Sequence, residues 1–188
     1  SVFFNNEGID GGALYLHNYS LVYLDRVTIT DNIAPQGAGI YTRYGSTAIV
    51  TNSIIVDNDG DSQITIHDIE DDYISSVDIS YTNLQGDDAG VVDNDGGLVW
   101  GDGNIDVDPR FRDAENGNYN LFASSLCINA GNPESTDADG TRRDMGAYPY
   151  LVDYDGSNGW YVSTSGSDST GMGSSISEFA SIQAALNF

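Results

Sequence analysis

Residues 27–32 read VTITDN and residues 53–58 read SIIVDN. Residues 1–6, SVFFNN, repeat the plan: a short apolar β run ending in a polar turn. Asn6, Asn32 and Asn58 close the three segments at intervals of 26 residues. The pairs Gly11/Gly37, Leu14/Ile40, Tyr15/Tyr41, Tyr23/Ile49, Leu24/Val50 and Ile29/Ile55 keep the same interval. A period of this length marks one supersecondary unit stacked on the next.

Working outward, residues 13–16, 21–24, 27–30, 39–42, 48–51, 53–56, 63–66 and 77–82 are rich in Val, Ile, Thr and Tyr and are bounded by Gly, Asn and Asp. They read as strands. Three short strands per repeat with no helix between them exclude a βαβ plan and predict an all-β parallel β-helix. Stacked coils place equivalent residues about 4.8 Å apart. Leu14 then lies on Ile40 and Ile29 on Ile55, and Asn6, Asn32 and Asn58 form an amide ladder. The alternative is that these asparagines only shape turns. In the third coil the spacing aligns Asn83 with Asp31 and Asp57 and puts Leu84 at the ladder position. The acidic stretch 57–72 there reads as an insertion or a worn coil.

The chain divides into coils over residues 1–84, an irregular cap over 85–150, a linker at 151–158 and a strand plus helix over 159–188. Strand candidates in the cap are residues 104–111 (NIDVDPRF), 119–122 (YNLF) and 144–150 (DMGAYPY), and residues 159–165 follow the linker. A helix is expected over 178–187, with Ser177 as its N-cap and Phe179, Ile182, Ala185 and Leu186 as its apolar stripe. That stripe needs a partner outside this sequence, or the first coil. The opening residues are already in register with later repeats, and no secretory signal precedes them. Residue 1 therefore reads as an internal position of a longer protein.

The 29 acidic residues face six arginines and no lysine, for a net charge of -23. Such a chain repels nucleic acid and anionic lipid, and neither is expected as a partner. No apolar run reaches the ~18 residues that a membrane span requires. Cys127 is the single cysteine, set among apolar residues and expected to be buried and inert.

Asp-x-Asp-Gly occurs at residues 57–60, 93–96, 137–140 and 153–156. Chance placement gives roughly 0.4 occurrences. Paired carboxylates beside a glycine suit Ca2+, and Asp57, Asp59, Asp61 and Asp68 fall at EF-hand-like positions 1, 3, 5 and 12. Ser62 and Asp68 stand where an EF-hand has Gly and Glu, so a calcium-binding β-helix turn is the form this expectation takes. The plainer reading is that Asp-Gly marks tight turns. Asp137, Asp139 and Asp144 form a second candidate set. Turn capping and pairing with Arg142 or Arg143 is the preferred role there. Tyr15 and Tyr41 form a sugar-binding platform if they face out, or a packing column. His17 and His67, 50 apart, fall outside the repeat and read as surface residues. Trp100 and Trp160 read as packing residues.

The patterns GGALYL…VTITDN and GAGIYT…SIIVDN resemble the right-handed parallel β-helix repeat proteins of the pectate-lyase-like superfamily, found in large bacterial secreted and surface proteins. VDISYTNLQ, GNIDVDPRFRD, YNLFASSLCINAGNP and DADGTRRDMGAYPY resemble the closing end of such helices. WYVSTSGSDS…SEFASIQAALNF resembles their opening end, as if a second unit began here. The resemblance implies an extracellular or cell-surface location, with other β-helix units and polysaccharides as partners. Three functions are to be weighed: a structural or adhesive segment, stabilised by Ca2+ if the Asp-x-Asp-Gly loops bind it; the polysaccharide lyase or hydrolase, or glycan-binding β-helix, that the resemblance implies; and a filament subunit, since the first coil reads as uncapped. Arg43, expected one coil from Asp68 and Asp71, and Arg26 are the available bases. With so few cations, no acid/base pair is identified, and catalysis is the weaker expectation.

Overall fold

The computed structural model describes residues 1–67, 74–94, 97–152 and 159–187. Its strands in chain order are β1 (Val2–Phe4), β2 (Leu14–Leu16), β3 (Leu21–Asp25), β4 (Thr28–Thr30), β5 (Ile40–Arg43), β6 (Thr47–Thr51) and β7 (Ile54–Ile55). β8 (Ile64–His67), β9 (Ser76–Ser80), β10 (Asn83–Leu84), β11 (Val91–Asp93), β12 (Leu98–Trp100), β13 (Phe111–Asp113) and β14 (Asn118–Leu121) follow. The first twelve form three parallel sheets of four rungs, β1-β4-β7-β10, β2-β5-β8-β11 and β3-β6-β9-β12. The protein is an all-β parallel solenoid.

The expected registers hold. Leu14 pairs with Ile40, Tyr15 with Tyr41, Tyr23 with Ile49, Leu24 with Val50 and Ile29 with Ile55. Inward positions of the three sheets meet in one core in which Ile29, Ile40, Ile55, Ile64, Ile79 and Leu84 are fully buried. Each such side chain contributes about 1.5–3 kcal/mol of burial. Period-2 alternation decides which residues turn inward.

The third coil departs from the 26-residue spacing in two places of opposite sign. Arg43 pairs with His67, 24 residues on, because the turn before β8 is short. Val50 pairs with Ile79, 29 residues on, because extra residues follow His67. The expected insertion or worn coil at 57–72 does not describe residues 57–67, which are two residues short of the repeat and carry β8 in register; the remainder of that stretch, from Asp68, lies outside the described residues. The place of Leu84 also differs from the expectation: Leu84 pairs with Ile55 and extends the apolar column, and Asn83 pairs with Ile54 rather than matching Asp57. Stacking also continues into the segment expected to be irregular, since β11 and β12 pair in parallel with β8 and β9.

β13 and β14 form an antiparallel hairpin, and β14 meets the expected strand 119–122. The expected strands 104–111 and 159–165 do not form: only Phe111 of the first is in a strand, and otherwise Ile105 and Val162 make single bridges to Asn83 and Phe179. Residues 144–150 form no strand. Their backbone donors go instead to the coils and loops: Met145 N–H to Cys127 O, Gly146 N–H to Asn52 O, and Ala147 N–H to Thr28 Oγ1.

The single helix, α1 (Ile182–Leu186), is shorter than expected, and its N-cap is Ser181, which accepts from Ala184 N–H. Phe179 lies before it in an extended bridge to Val162. The Asp168 carboxylate accepts from Ala180 and Ser181 N–H and holds the chain out of helix there. The expected stripe is not the buried face. Phe179 and Ala184 are fully buried, while Ile182 and Leu186 are exposed. Their partner is also within this chain. Phe179 and Ala184 join Leu121, Ala123, Cys127 and Met145 in a second core. Asn187 Nδ2 ties the end down by donating to the carbonyls of Ala123 and Ser125.

Candidate functional site

The asparagine ladder forms as expected. Asn6 N–H and Nδ2 donate to Asn32 Oδ1 at 3.1 and 2.8 Å, and Asn32 N–H and Nδ2 donate to Asn58 Oδ1 at 3.1 and 2.9 Å. Gln63 ends it. Its Oε1 accepts from Asn58 Nδ2 at 2.7 Å, in the place of a fourth asparagine. Nothing in the 26-residue spacing marks Gln63, because it lies in the same coil as Asn58.

The aspartates of the first Asp-x-Asp-Gly loop are exposed and point apart from Asn58, which is buried in the ladder. Asp57 lines a cleft of about 290 Å³ with Asp106 and Asp108, and neither Asp59 nor Asp61 reaches it. Asp68 lies outside the described residues. Desolvation, then the carboxylates of Asp31 and Asp108, push the Asp57 carboxyl up. The neighbouring acids are engaged: Asp31 accepts from Tyr119 Oη, Asp106 from Gly86 N–H and Asp108 from Arg110 N–H. Among the described residues, no group of three or more His, Cys, Asp or Glu is gathered to hold a metal ion.

The other Asp-Gly loops are held by their own carboxylates where they are described. Asp93 accepts from Gly97 and Leu98 N–H. Asp137 accepts from Asp144 N–H, Asp139 from Thr141 and Val152 N–H, and Asp144 from Asn129 and Tyr150 N–H. Burial pushes the Asp144 carboxyl up to about 7 against those two bonds, with Asp137 and Asp139 adding to the rise. The arginine pairing differs from the expectation. Asp137 meets Arg26 at 3.5 Å, Arg143 meets Asp25 at 3.2 Å, and Arg142 donates to the Ala130 and Gly131 carbonyls. The cap is thus laid across the coil turns at residues 25–26, which takes Arg26 out of consideration as a base. Trp160 packs against Phe179, whereas Trp100 is partly exposed on β12. Cys127 is fully buried, and desolvation pushes its thiol up to about 12.

The most distinctive surface lies on the outer face of β2, β5 and β8. Tyr15 and Tyr41 stack at 5.4 Å between centroids and 14° between planes. His17 stacks on Tyr15 and His67 on Tyr41, both at 5.8 Å, so four rings run across three coils. The histidines do share a column, contrary to the sequence expectation. Leu16 pairs with Thr42 at the 26-residue spacing and Arg43 with His67 at 24, so His17, Arg43 and His67 follow one another on the outer face. The two-residue shortening concealed this.

Arg43 binds the strip together. Its guanidinium lies 4.3 Å from the centroid of the Tyr44 ring, and Nη1 donates to Tyr15 Oη at 3.4 Å. His17 meets the Tyr44 ring edge-on at 4.7 Å. Asp10 is close enough to act, after burial, on the raised Tyr41 phenol. Tyr41 is only 2% exposed beneath its neighbours, whereas Tyr15 is 44% and Tyr19 64% exposed. The Tyr19 ring lies over Gly45, where a Cβ would come within 2.8 Å of it. Exposed tyrosine surface, guanidinium and imidazole donors and a carboxylate acceptor together suit a polyhydroxyl ligand with an apolar face.

Among the described residues no helix is long and apolar enough to cross a membrane. Compared with family models, curated proteins and solved structures, the chain matches none.

Proposed function

We propose that this chain is a non-catalytic structural and adhesive β-solenoid of a secreted or cell-surface protein, kin to the pectate-lyase-like β-helices, whose outer β2–β5–β8 face holds carbohydrate. The observation that carries this reading is the four-ring run His17–Tyr15–Tyr41–His67 locked by Arg43. Tyr41 is buried beneath the run and supports it, while Tyr15 keeps apolar ring surface in water for a sugar's C–H groups to cover. The repeat motifs and the closing and opening segments support the kinship and the extracellular setting. The Asn ladder and the continuous core support a stiff scaffold that holds the strip in fixed geometry.

The net charge of -23 repels polyanions, so neutral glycans are the better ligands. Affinity electrophoresis through gels containing β-glucan, galactomannan, arabinan, polygalacturonate or alginate tests this. Retardation by at least one neutral polymer, relieved by Tyr15→Ala, supports the proposal. Equal mobility in every gel overturns it. Release of shorter oligosaccharides from any of these polymers would overturn the non-catalytic part.

A further inference from the structure

A second recess lies far along the chain from the tyrosine strip, between the β13–β14 hairpin and the docked C-terminal segment. It encloses about 230 Å³ and is lined by Arg112, Asn120, Tyr150, Leu151, Thr170 and Met172, among others. The chain carries 29 acidic residues and six arginines, and among the described residues the lining holds one arginine and no acid, with Asp168 close enough to act on the Tyr150 phenol against Arg112.

Arg112 is fixed in orientation. Nε donates to Leu121 O at 2.9 Å, and the guanidinium lies 5.5 Å from the centroid of the Tyr150 ring. Tyr150 is held in turn, its hydroxyl donating to Gly171 O at 2.6 Å. A guanidinium anchored through Nε keeps its terminal Nη donors for a second partner, and their planar fork matches an oxyanion. Leu151 and Met172 supply apolar wall, and the Asn120 amide and Thr170 hydroxyl supply polar groups. A few polar groups converging in a largely apolar recess is the usual composition of a small-ligand site.

We propose that this recess binds a small organic carboxylate, its head on Arg112 and its short apolar body against Leu151 and Met172. The size restricts the ligand to a few carbon atoms. The probes are butyrate, n-butanol and sulfate at fixed ionic strength, with binding followed by isothermal titration. Saturable butyrate binding is expected, at least tenfold tighter than n-butanol or sulfate, because only butyrate offers both head and body. Arg112→Gln should weaken it about tenfold or more, and Met172→Trp, which fills the recess and leaves Arg112 in place, should abolish it. Circular dichroism checks that each variant folds. Absence of saturable butyrate binding overturns the proposal. So does wild-type affinity in either folded variant, which leaves Met172→Trp decisive if Arg112→Gln fails to fold. The carbohydrate reading of the tyrosine strip stands or falls separately, since it shares none of these residues.

Discussion

Asn32 Nδ2 donates to Asn58 Oδ1 at 2.9 Å across one coil, and the same Nδ2 reaches the carbonyls of Phe3 and Thr30. One buried amide thereby joins three successive coils. Replacing it leaves several buried groups without partners, at about 1–3 kcal/mol each. Asn32→Ala should therefore destabilise the solenoid by about 3 kcal/mol or more in urea unfolding. Asn6→Ala, at the exposed end of the ladder, should cost about 1 kcal/mol or less. Equal costs at the two positions would mean that the ladder only shapes turns.

Asp144 gives the fold an inverted acid response. Its folded carboxyl titrates at about 7, above the ordinary 3.8, so between these values the folded state holds a proton that the unfolded state has lost. Stability contributed by the protonated form is full below about pH 4 and is lost as pH rises towards 7, by on the order of a few kcal/mol. Asp139, pushed the other way, acts below that window: burial alone would raise it, but the Val152 and Thr141 hydrogen bonds lower it. Melting temperatures should fall from pH 5 to pH 7.5. Asp144→Asn should flatten that slope, even though losing one N–H acceptor lowers the baseline.

Desolvation penalises the charge on Asp57, and the carboxylates of Asp31 and Asp108 add to that penalty. The Asp57 backbone is left-handed, with φ at 54°, which asparagine also accepts. Asp57→Asn should raise stability, by less than about 1 kcal/mol because the site is exposed and screened. Asp57, Asp59 and Asp61 also face solvent separately, so calcium should shift the melting temperature no more than matched magnesium. A calcium-specific rise abolished by Asp57→Asn would show that this loop closes around the ion.

Cys127 should resist thiol reagents in the native protein, since burial keeps the thiolate from forming. Its labelling rate should follow global unfolding in a denaturant series. Rapid labelling in native buffer would show that the second core opens locally.

The coil registers were legible because strand period and repeat period agree from Leu14/Ile40 through Ile29/Ile55. The third coil was less so. A two-residue shortening before β8 hid the His17–Arg43–His67 column, and a longer connection after His67 brings the spacing to 29, so counting by 26 misplaced Leu84 by three residues. The candidate site was half legible: Tyr15 and Tyr41 were in register, but only the fold brings Arg43 and both imidazoles to them. The helix failed for a local reason, since the Asp168 carboxylate takes the N–H groups of Ala180 and Ser181. Periodicity does not record a competing acceptor twelve residues upstream.

The outer tyrosine strip is the centre of the functional account, and the chain's two histidines, His17 and His67, both lie in it. Their imidazole C–H signals can be followed by NMR while hexasaccharides of the neutral β-glucan, mannan and arabinan series are added. The account predicts saturable shifts of both histidines with at least one series, lost in Tyr15→Ala. Binding that leaves both imidazoles unmoved, or no binding in any series, would contradict it.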